Sequence, residues 1–251
     1  MQSHPFLSIV IPARNEETRL PNTMEKVFSF LETQPYTAEV IVVENSSTDR
    51  TAEIAARYAA QHEHTRLLRE PEPGKGNAVR KGMLAARGQF RFMADADLSM
   101  PIEELPHFLP PVLTNFDIAI GSREAPGAIR YNEPYYRHLG GRAVNLMIRI
   151  LALPGLHDTQ CGFKCFRAAV AEDLFRHQTL GGWSFDVELL YIARLRGYRI
   201  VEVPISWHYQ AESKVNPLQD TFRMGIDILE ILRNARRGVY NNNHEPHKIR
   251  S

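Results

Sequence analysis

The sequence predicts an α/β fold, a mostly parallel sheet flanked by helices, and three observations carry that prediction. Short β-prone runs recur through the first half: Leu7–Pro12, Glu39–Glu44, Arg66–Arg69, Phe90–Ala94 and Asp117–Gly121. Helical stretches alternate with them at the pace expected of parallel strands joined by right-handed crossovers. With 251 residues, 43% of them hydrophobic and 24% charged, the chain can bury the core that one large α/β domain needs.

Each element has a local reason. Leu7–Pro12 (LSIVIP) reads as a buried strand, followed by a helix over Leu20–Thr33. After the strand Glu39–Glu44, residues Asn45, Ser46, Ser47, Thr48 and Asp49 supply capping side chains for a helix through Ala60, with acids in its first turn. Arg66–Arg69 is a short third strand. The turn Pro73-Gly74-Lys75-Gly76 opens a helix to Ala86, and Phe90–Ala94 is the fourth strand. Pro101 suits the first position of the next helix, and Asp117–Gly121 is the fifth strand. Beyond about residue 125 a Tyr- and Arg-rich segment leads into an apolar helix, Arg142–Leu153. A short strand (Gly162–Arg167), helices near Ala168–Phe175 and Ser184–Arg196, a strand (Arg199–Val203) and a long helix (Leu218–Arg237) follow. The polar tail, residues 239–251, is expected to be disordered.

The bulk properties exclude several classes of function. A net charge of +1 makes no electrostatic case for nucleic acid. Cys161 and Cys165 lie four apart with no companion pair, a spacing that suits neither a zinc knuckle nor a bridge, so a reducing, cytoplasmic compartment is the expectation. The ten histidines form no HxxxH pair. No signal peptide is visible and no run reaches the ~18 apolar residues of a spanning helix. A soluble protein, or one peripheral on the cytoplasmic face of a membrane, is expected. No GxGxxG follows the first strand, which disfavours a dinucleotide-binding oxidoreductase.

The chemistry concentrates in Phe92-Met93-Ala94-Asp95-Ala96-Asp97-Leu98. A buried strand ending in two carboxylates, one small residue apart, directs both acids into the crevice at the carboxyl edge of the sheet. Such a pair suits a hard divalent cation, which takes few protein oxygens and completes its shell with substrate phosphate and water. That reading, a metal-held nucleoside diphosphate, competes with a solvated acidic turn. Lys75, on a Gly-flanked turn at a helix start, lies where backbone N–H groups favour anions, or is a solvated surface lysine.

Taken together, the motifs resemble family 2 inverting glycosyltransferases of the GT-A fold, and look most like the dolichyl-phosphate glucosyltransferase and mannose synthase branch. The pieces are IPARNE (11–16), VVENSSTDRT (42–51), GKGNAVRKGM (74–83), MADADL (93–98), GSR (121–123), DTQCGFK (158–164), SFDVELLY (184–191) and SKVNP (213–217). The resemblance implies one domain over residues 1–238, with a nucleotide-sugar half at about 7–123 and an acceptor half at about 124–238. It implies that Pro12, Ala13, Arg14, Asn15, Glu16, Glu44, Lys75, Asp95 and Ala96 bind the nucleotide sugar. Asp95 and Asp97 would hold Mg²⁺ or Mn²⁺, with Asp97 the firmer ligand. Arg123, Arg137 and Lys214 would meet phosphates, a task suited to the guanidinium fork and the ammonium point charge. Two positions depart from relatives: Ser99 stands where mannose synthases often carry Gln, and Gly141 where relatives carry Ser.

The implied donor is UDP-glucose and the implied acceptor a polyprenyl phosphate such as dolichyl phosphate. GDP-mannose as donor, a hydroxyl acceptor, and a non-catalytic nucleotide-sugar-binding partner are the alternatives. A phosphate acceptor, with a second pKa of about 6, is its own nucleophile. A hydroxyl acceptor would need a base, for which Asp186 and Glu188 are the candidates; helix acids favoured by the dipole are the competing reading. In the Arg142–Leu153 helix, Arg142, Asn145 and Arg149 form a narrow polar stripe on an apolar cylinder. That pattern fits a membrane surface, packing on the sheet, or a homodimer interface. Trp183 and Trp207 read as partly buried packing residues, with stacking on a sugar or base as the alternative.

Overall fold

The computed structural model describes residues 4–209 and 217–241. In chain order the first half comprises β1 (Leu7–Ala13), α1 (Leu20–Glu32), β2 (Ala38–Glu44), α2 (Thr51–Gln61), β3 (Thr65–Arg69), α3 (Lys75–Ala85) and β4 (Phe90–Ala94). A 3-10 helix (Ile102–Phe108), β5 (Ile118–Ser122), β6 (Ile129–Tyr131) and α4 (Tyr135–Leu151) follow. The chain continues through β7 (Phe163–Arg167), α5 (Ala168–His177), α6 (Phe185–Leu195), β8 (Ile200–Pro204), β9 (Ser206–His208) and α7 (Pro217–Arg236).

Seven strands form one sheet in the order β3-β2-β1-β4-β7-β5-β8. All neighbours are parallel except β7, which runs antiparallel to both β4 and β5. Side chains alternate across the sheet and divide the core in two. Ile9, Ile11, Val42 and Phe92 pack with Leu20, Met24, Val27 and Phe30 of α1 and with the 3-10 helix. On the other face Val10, Val43 and Met93 pack under Val79 and Met83 of α3, with α5 and α6 alongside. Phe92, Phe108 and Phe163 lock strand to helix edge-to-face, with centroids 4.5–5.5 Å apart.

Four features differ from expectation. The segment after Pro101 is a 3-10 helix with Pro101 as its cap, because Pro106 inside it removes an N–H from any longer α ladder. Helix α4 begins at Tyr135, so Tyr135–His138 belong to its first turns rather than to a preceding loop. The expected stripe on α4 is split: Arg142 is exposed and Asn145 buried, whereas the apolar Leu146 and Ile150 are exposed. Finally, β6 and β9 pair in a separate two-stranded parallel sheet, built from three-residue runs too short to be legible as strands. Cys161 and Cys165 are buried and unbridged. Lys214 and residues 242–251 of the expected tail lie outside the described residues.

Candidate active site

Strand β1 continues through α1 to β2 on one side, and the chain later returns as β4 on the other. This reversal opens a crevice beyond the carboxyl ends of β1 and β4. The loops leaving β1 and β2 are joined by reciprocal hydrogen bonds. Thr48 N donates to Asn15 Oδ1 (2.8 Å), Glu16 N to Thr51 Oγ1 (2.7 Å) and Glu17 N to Asp49 Oδ2 (3.1 Å). The polar run after β2, expected to cap α2, therefore mainly ties two loops together; Asp49 Oδ1 alone also accepts from Thr51 N (2.9 Å).

The acidic loop leaving β4 is held at several points. Thr23 Oγ1 of α1 donates to Ala96 O (2.5 Å), Ser99 N donates to Asp97 Oδ1 (2.9 Å), and His208 N of β9 donates to Ser99 O (2.7 Å). Leu98 adopts φ 44°, a left-handed conformation that a branched residue keeps only where its surroundings impose it. Ser99 thus orients Asp97. Asp95 Oδ1 lies 2.6 Å from Lys75 Nζ. Burial and the neighbouring Asp95 charge push the Asp97 carboxyl above its ordinary value. Asp95 meets the Lys75 ammonium and Asp97 stands two residues on, so two partly exposed carboxylates share one nearby cation, a donor set deficient in positive charge that a divalent oxygen-seeking cation fits.

Lys75 is placed from behind. Gly74 has φ 146°, and a Cβ there would fall 2.2 Å from Gly181 O. Gly74 N donates to Asn45 Oδ1 (2.8 Å), while Asn45 Nδ2 donates to Glu70 O (2.9 Å) and Glu72 O (2.7 Å). The Lys75 ammonium also lies 5.2 Å from the ring centre of Trp183, which is half exposed at the crevice. Burial would lower the pKa of this lysine, but Asp95, Asp186 and Asp97 outweigh it and the net shift is upward.

The other predicted residues divide. Pro12 and Ala13 end β1 level with Val43 and Glu44, and Arg14 and Asn15 emerge exposed beyond them. Glu16 is ion-paired to Arg19 (2.6 Å). Glu44 is buried and accepts from Ser47 N (2.5 Å), so its carboxylate shapes the loop after β2. Arg123 does not present its whole fork to a ligand: Nε and Nη2 grip Asp158 at 2.6 and 2.9 Å, and Asp158 is fully buried. The remaining face of Arg123 lies over Trp207, 5.6 Å from the ring centre, and Arg130 stacks there too.

Asp186 is 3% exposed and meets Lys164 Nζ at 2.8 Å, a position from which it cannot reach a substrate hydroxyl without moving. Glu188 is not brought to the crevice. Its carboxylate accepts from Thr179 N (3.0 Å), Leu180 N (2.8 Å) and Tyr240 Oη (2.8 Å), all in the wall behind the site. Of its two readings, base and helix acid, the second agrees with this placement. Arg137 lies in α4 with its side chain outside the described part, and Lys214 lies wholly outside it.

Sequence reasoning missed four contributors: Asn45, Asp158, Gly162 and Lys164. One signal was available for Lys164. A lysine inside the apolar run Phe163–Phe166 must be buried with a counter-charge if that run is a central strand.

Comparison with known proteins agrees with this geometry. The sequence profile described as Glycosyl transferase family 2 matches residues 8–175. A dolichyl-phosphate beta-glucosyltransferase of Trichomonas vaginalis is 36% identical over 95% of this chain and 74% of its own length. The human dolichyl-phosphate beta-glucosyltransferase is 34% identical over 90% of this chain and 74% of its own. Among solved structures, glucosyl-3-phosphoglycerate synthase from Mycobacterium tuberculosis, in complex with Mn²⁺, UDP-glucose and phosphoglyceric acid, superposes with a TM-score of 0.64. It is 21% identical, covering 93% of this chain and 80% of the other, and shares the fold. With its crevice at the β1/β4 reversal and its acidic pair at the end of β4, the chain belongs to glycosyl transferase family 2.

Proposed function

We propose that this protein transfers glucose, with inversion, from UDP-glucose to a polyprenyl phosphate of the dolichyl type. The observation carrying the proposal is the Asp95–Asp97 pair with Lys75 in contact with Asp95, beyond the carboxyl ends of β1 and β4, in a chain 36% and 34% identical to the dolichyl-phosphate beta-glucosyltransferases of Trichomonas vaginalis and human.

In this reading Asp95 and Asp97 hold Mg²⁺ or Mn²⁺, which supplies neutralisation of the charge that develops on the departing UDP. Lys75, whose own side chain is largely buried, adds a fixed positive charge beside the diphosphate. The loops leaving β1 and β2, with Pro12–Glu16 and Glu44, hold base and ribose. Arg123, kept in one orientation by Asp158, leaves an edge for the acceptor side, which Arg137 and Lys214 complete. The acceptor phosphate is largely dianionic above its second pKa of about 6, so it attacks the anomeric carbon without a protein base. The inward pairing of Asp186 with Lys164 is compatible with that economy.

Peripheral attachment to a membrane belongs to the same reading. Among the described residues no helix is long and apolar enough to cross a membrane. Helices α4 and α7 nevertheless expose Leu146, Ile150, Phe222, Ile226 and Leu229, with Arg142, Arg223 and Arg233 also exposed. Apolar side chains flanked by cations suit an anionic lipid surface. A homodimer through the same helices is the second reading, supported by the same apolar exposure.

The test is a donor and acceptor matrix: UDP-glucose and GDP-mannose, each with polyprenyl phosphate and with the unphosphorylated polyprenol. Transfer from UDP-glucose to the phosphate is expected, with kcat/KM for the acceptor falling below about pH 6 as the phosphate takes up its second proton. Equal transfer to the polyprenol would overturn the phosphate-nucleophile mechanism, and preference for GDP-mannose would overturn the donor.

A further inference from the structure

Lys164 is 1% exposed, in the middle of the sheet, paired in register with Met93 of β4 and Ile120 of β5. An ammonium in such a place persists only with a carboxylate in contact and its remaining donors occupied. Asp186 Oδ1 supplies the carboxylate at 2.8 Å, and the Cys161 carbonyl accepts from Nζ as well. Asp158 also feels the lysine's charge, but its oxygens are already gripped by Arg123.

Asp186 does not face Lys164 alone. Burial raises its pKa and the net shift stays upward, although Lys164 and Lys75 both act against that rise; Asp186 in turn supports the charge on Lys75. Lys75 is held 2.6 Å from Asp95 at the metal-site end. Alternating charge therefore runs from the sheet interior to the crevice through Lys164, Asp186, Lys75 and Asp95. An ion pair that served the core alone would end at its second member. This one continues toward the crevice: Gly76, next to Lys75, lies against Phe185, next to Asp186, so closely that a Cβ on Gly76 would stand 2.8 Å from the Phe185 Cβ, and the Asp186 charge acts on Lys75 without touching it.

We propose that Lys164 is a positioning residue for the donor site: it fixes Asp186, at the start of α6, from the buried side, so that the Asp186 charge stays behind Lys75 where α6 abuts the start of α3, and Lys75 stays beside Asp95 and in reach of the donor diphosphate. Without Lys164, Asp186 either takes up a proton and no longer supports the charge on Lys75, or turns toward Lys75 and draws it away from Asp95. Both routes weaken diphosphate binding while leaving the acceptor side untouched. This inference rests on the donor-site reading above.

The experiment compares wild type with Lys164→Met/Asp186→Asn, which removes both buried charges together and so avoids an orphaned ion. Lys164→Arg and Asp186→Glu keep the pair charged while shifting its geometry. Thermal melting, calorimetric binding of UDP with Mn²⁺ in the absence of acceptor, and separate KM values for UDP-glucose and polyprenyl phosphate are measured. The double variant is expected to melt near wild type, to bind UDP about ten-fold or more weakly, and to keep its acceptor KM. Lys164→Arg is expected to recover most of the UDP affinity. Asp186→Glu, which moves the carboxylate by one methylene, is expected to raise the donor KM without changing the acceptor KM.

Wild-type UDP affinity in the double variant, or in Asp186→Glu should the double variant not fold, would overturn the inference. So would equal losses in donor and acceptor KM. Failure of the wild-type protein itself to bind UDP with Mn²⁺ would instead overturn the donor-site reading on which it rests.

Discussion

The backbone of Gly162 lies flat against the carboxylate of Asp95: a Cβ at position 162 would stand 1.8 Å from Asp95 Oδ2 and 2.3 Å from its Cγ. Residue 162 immediately precedes β7, the antiparallel strand beside β4, so the second half of the chain forms one wall of the crevice at Asp95. An aspartate side chain has only two torsions with which to retreat, and Asp95 is already held by Lys75.

Gly162→Ala is therefore expected to turn Asp95 out of the site while leaving both halves of the core packed. Turnover should fall by about 100-fold, the cost of misplacing a group by roughly an ångström. The Mn²⁺ activation curve should move to higher metal concentration with a melting temperature close to wild type. Unchanged metal dependence would mean that Asp95 is not a ligand.

Asp97→Asn separates function from stability. Burial and Asp95 disfavour the ionised Asp97 carboxyl, so neutralising it relieves repulsion in the metal-free protein. The variant is expected to melt at or above the wild-type temperature, yet to lose on the order of 100- to 1,000-fold in kcat/KM. Chelator should abolish wild-type turnover and leave the residual rate of the variant unchanged. Wild-type activity in excess chelator would refute the metal role.

Glu188→Ala is expected to act on stability instead of chemistry. It leaves the N–H groups of Thr179 and Leu180 and the hydroxyl of Tyr240 without their acceptor in the interior. Such a loss costs about 3 kcal/mol, read as a drop in melting temperature. At a temperature where the variant is still folded, kcat should stay within about three-fold of wild type, because only groups acting in the transition state change it substantially. A collapse of kcat with normal melting would return Glu188 to the list of catalytic groups.

The Arg123–Asp158 pair sets a pH dependence of stability. Burial pushes the Asp158 carboxyl up, but the guanidinium of Arg123 outweighs it and the net value lies below the ordinary one. The contribution is present above the unfolded-state value of about 3.9 and is lost as the pH falls through the lower folded-state value. In Arg123→Met the buried carboxylate is unpaired and its pKa rises, costing about 3 kcal/mol at neutral pH. The gap in melting temperature between wild type and variant is expected to be widest near neutrality and to close on acidification. A gap independent of pH would show that lost packing, not lost charge, is responsible.

Much of this molecule is written locally. The strands β1, β2 and β4 are legible because runs such as Ser8–Ile11 and Glu39–Val43 are apolar, β-branched and bounded by turn residues. The Asp95–Asp97 pair is legible because two acids at the end of a buried strand have one place to go. The 3-10 geometry after Pro101, the early start of α4 and the pairing of β6 with β9 were not, since three-residue strands and helix ends carry weak local preference.

Periodicity and residue type alone settled the longer strands and helices, and which edge of the sheet holds the acids. Which charge meets which was decided by the folded sheet. Insertion of β7 between β4 and β5 carries Lys164 to Asp186 and Gly162 to Asp95, across contacts between segments far apart in the chain. No local pattern encodes such meetings, because a buried ion's partner is fixed by proximity in three dimensions and by the cost of leaving that ion alone.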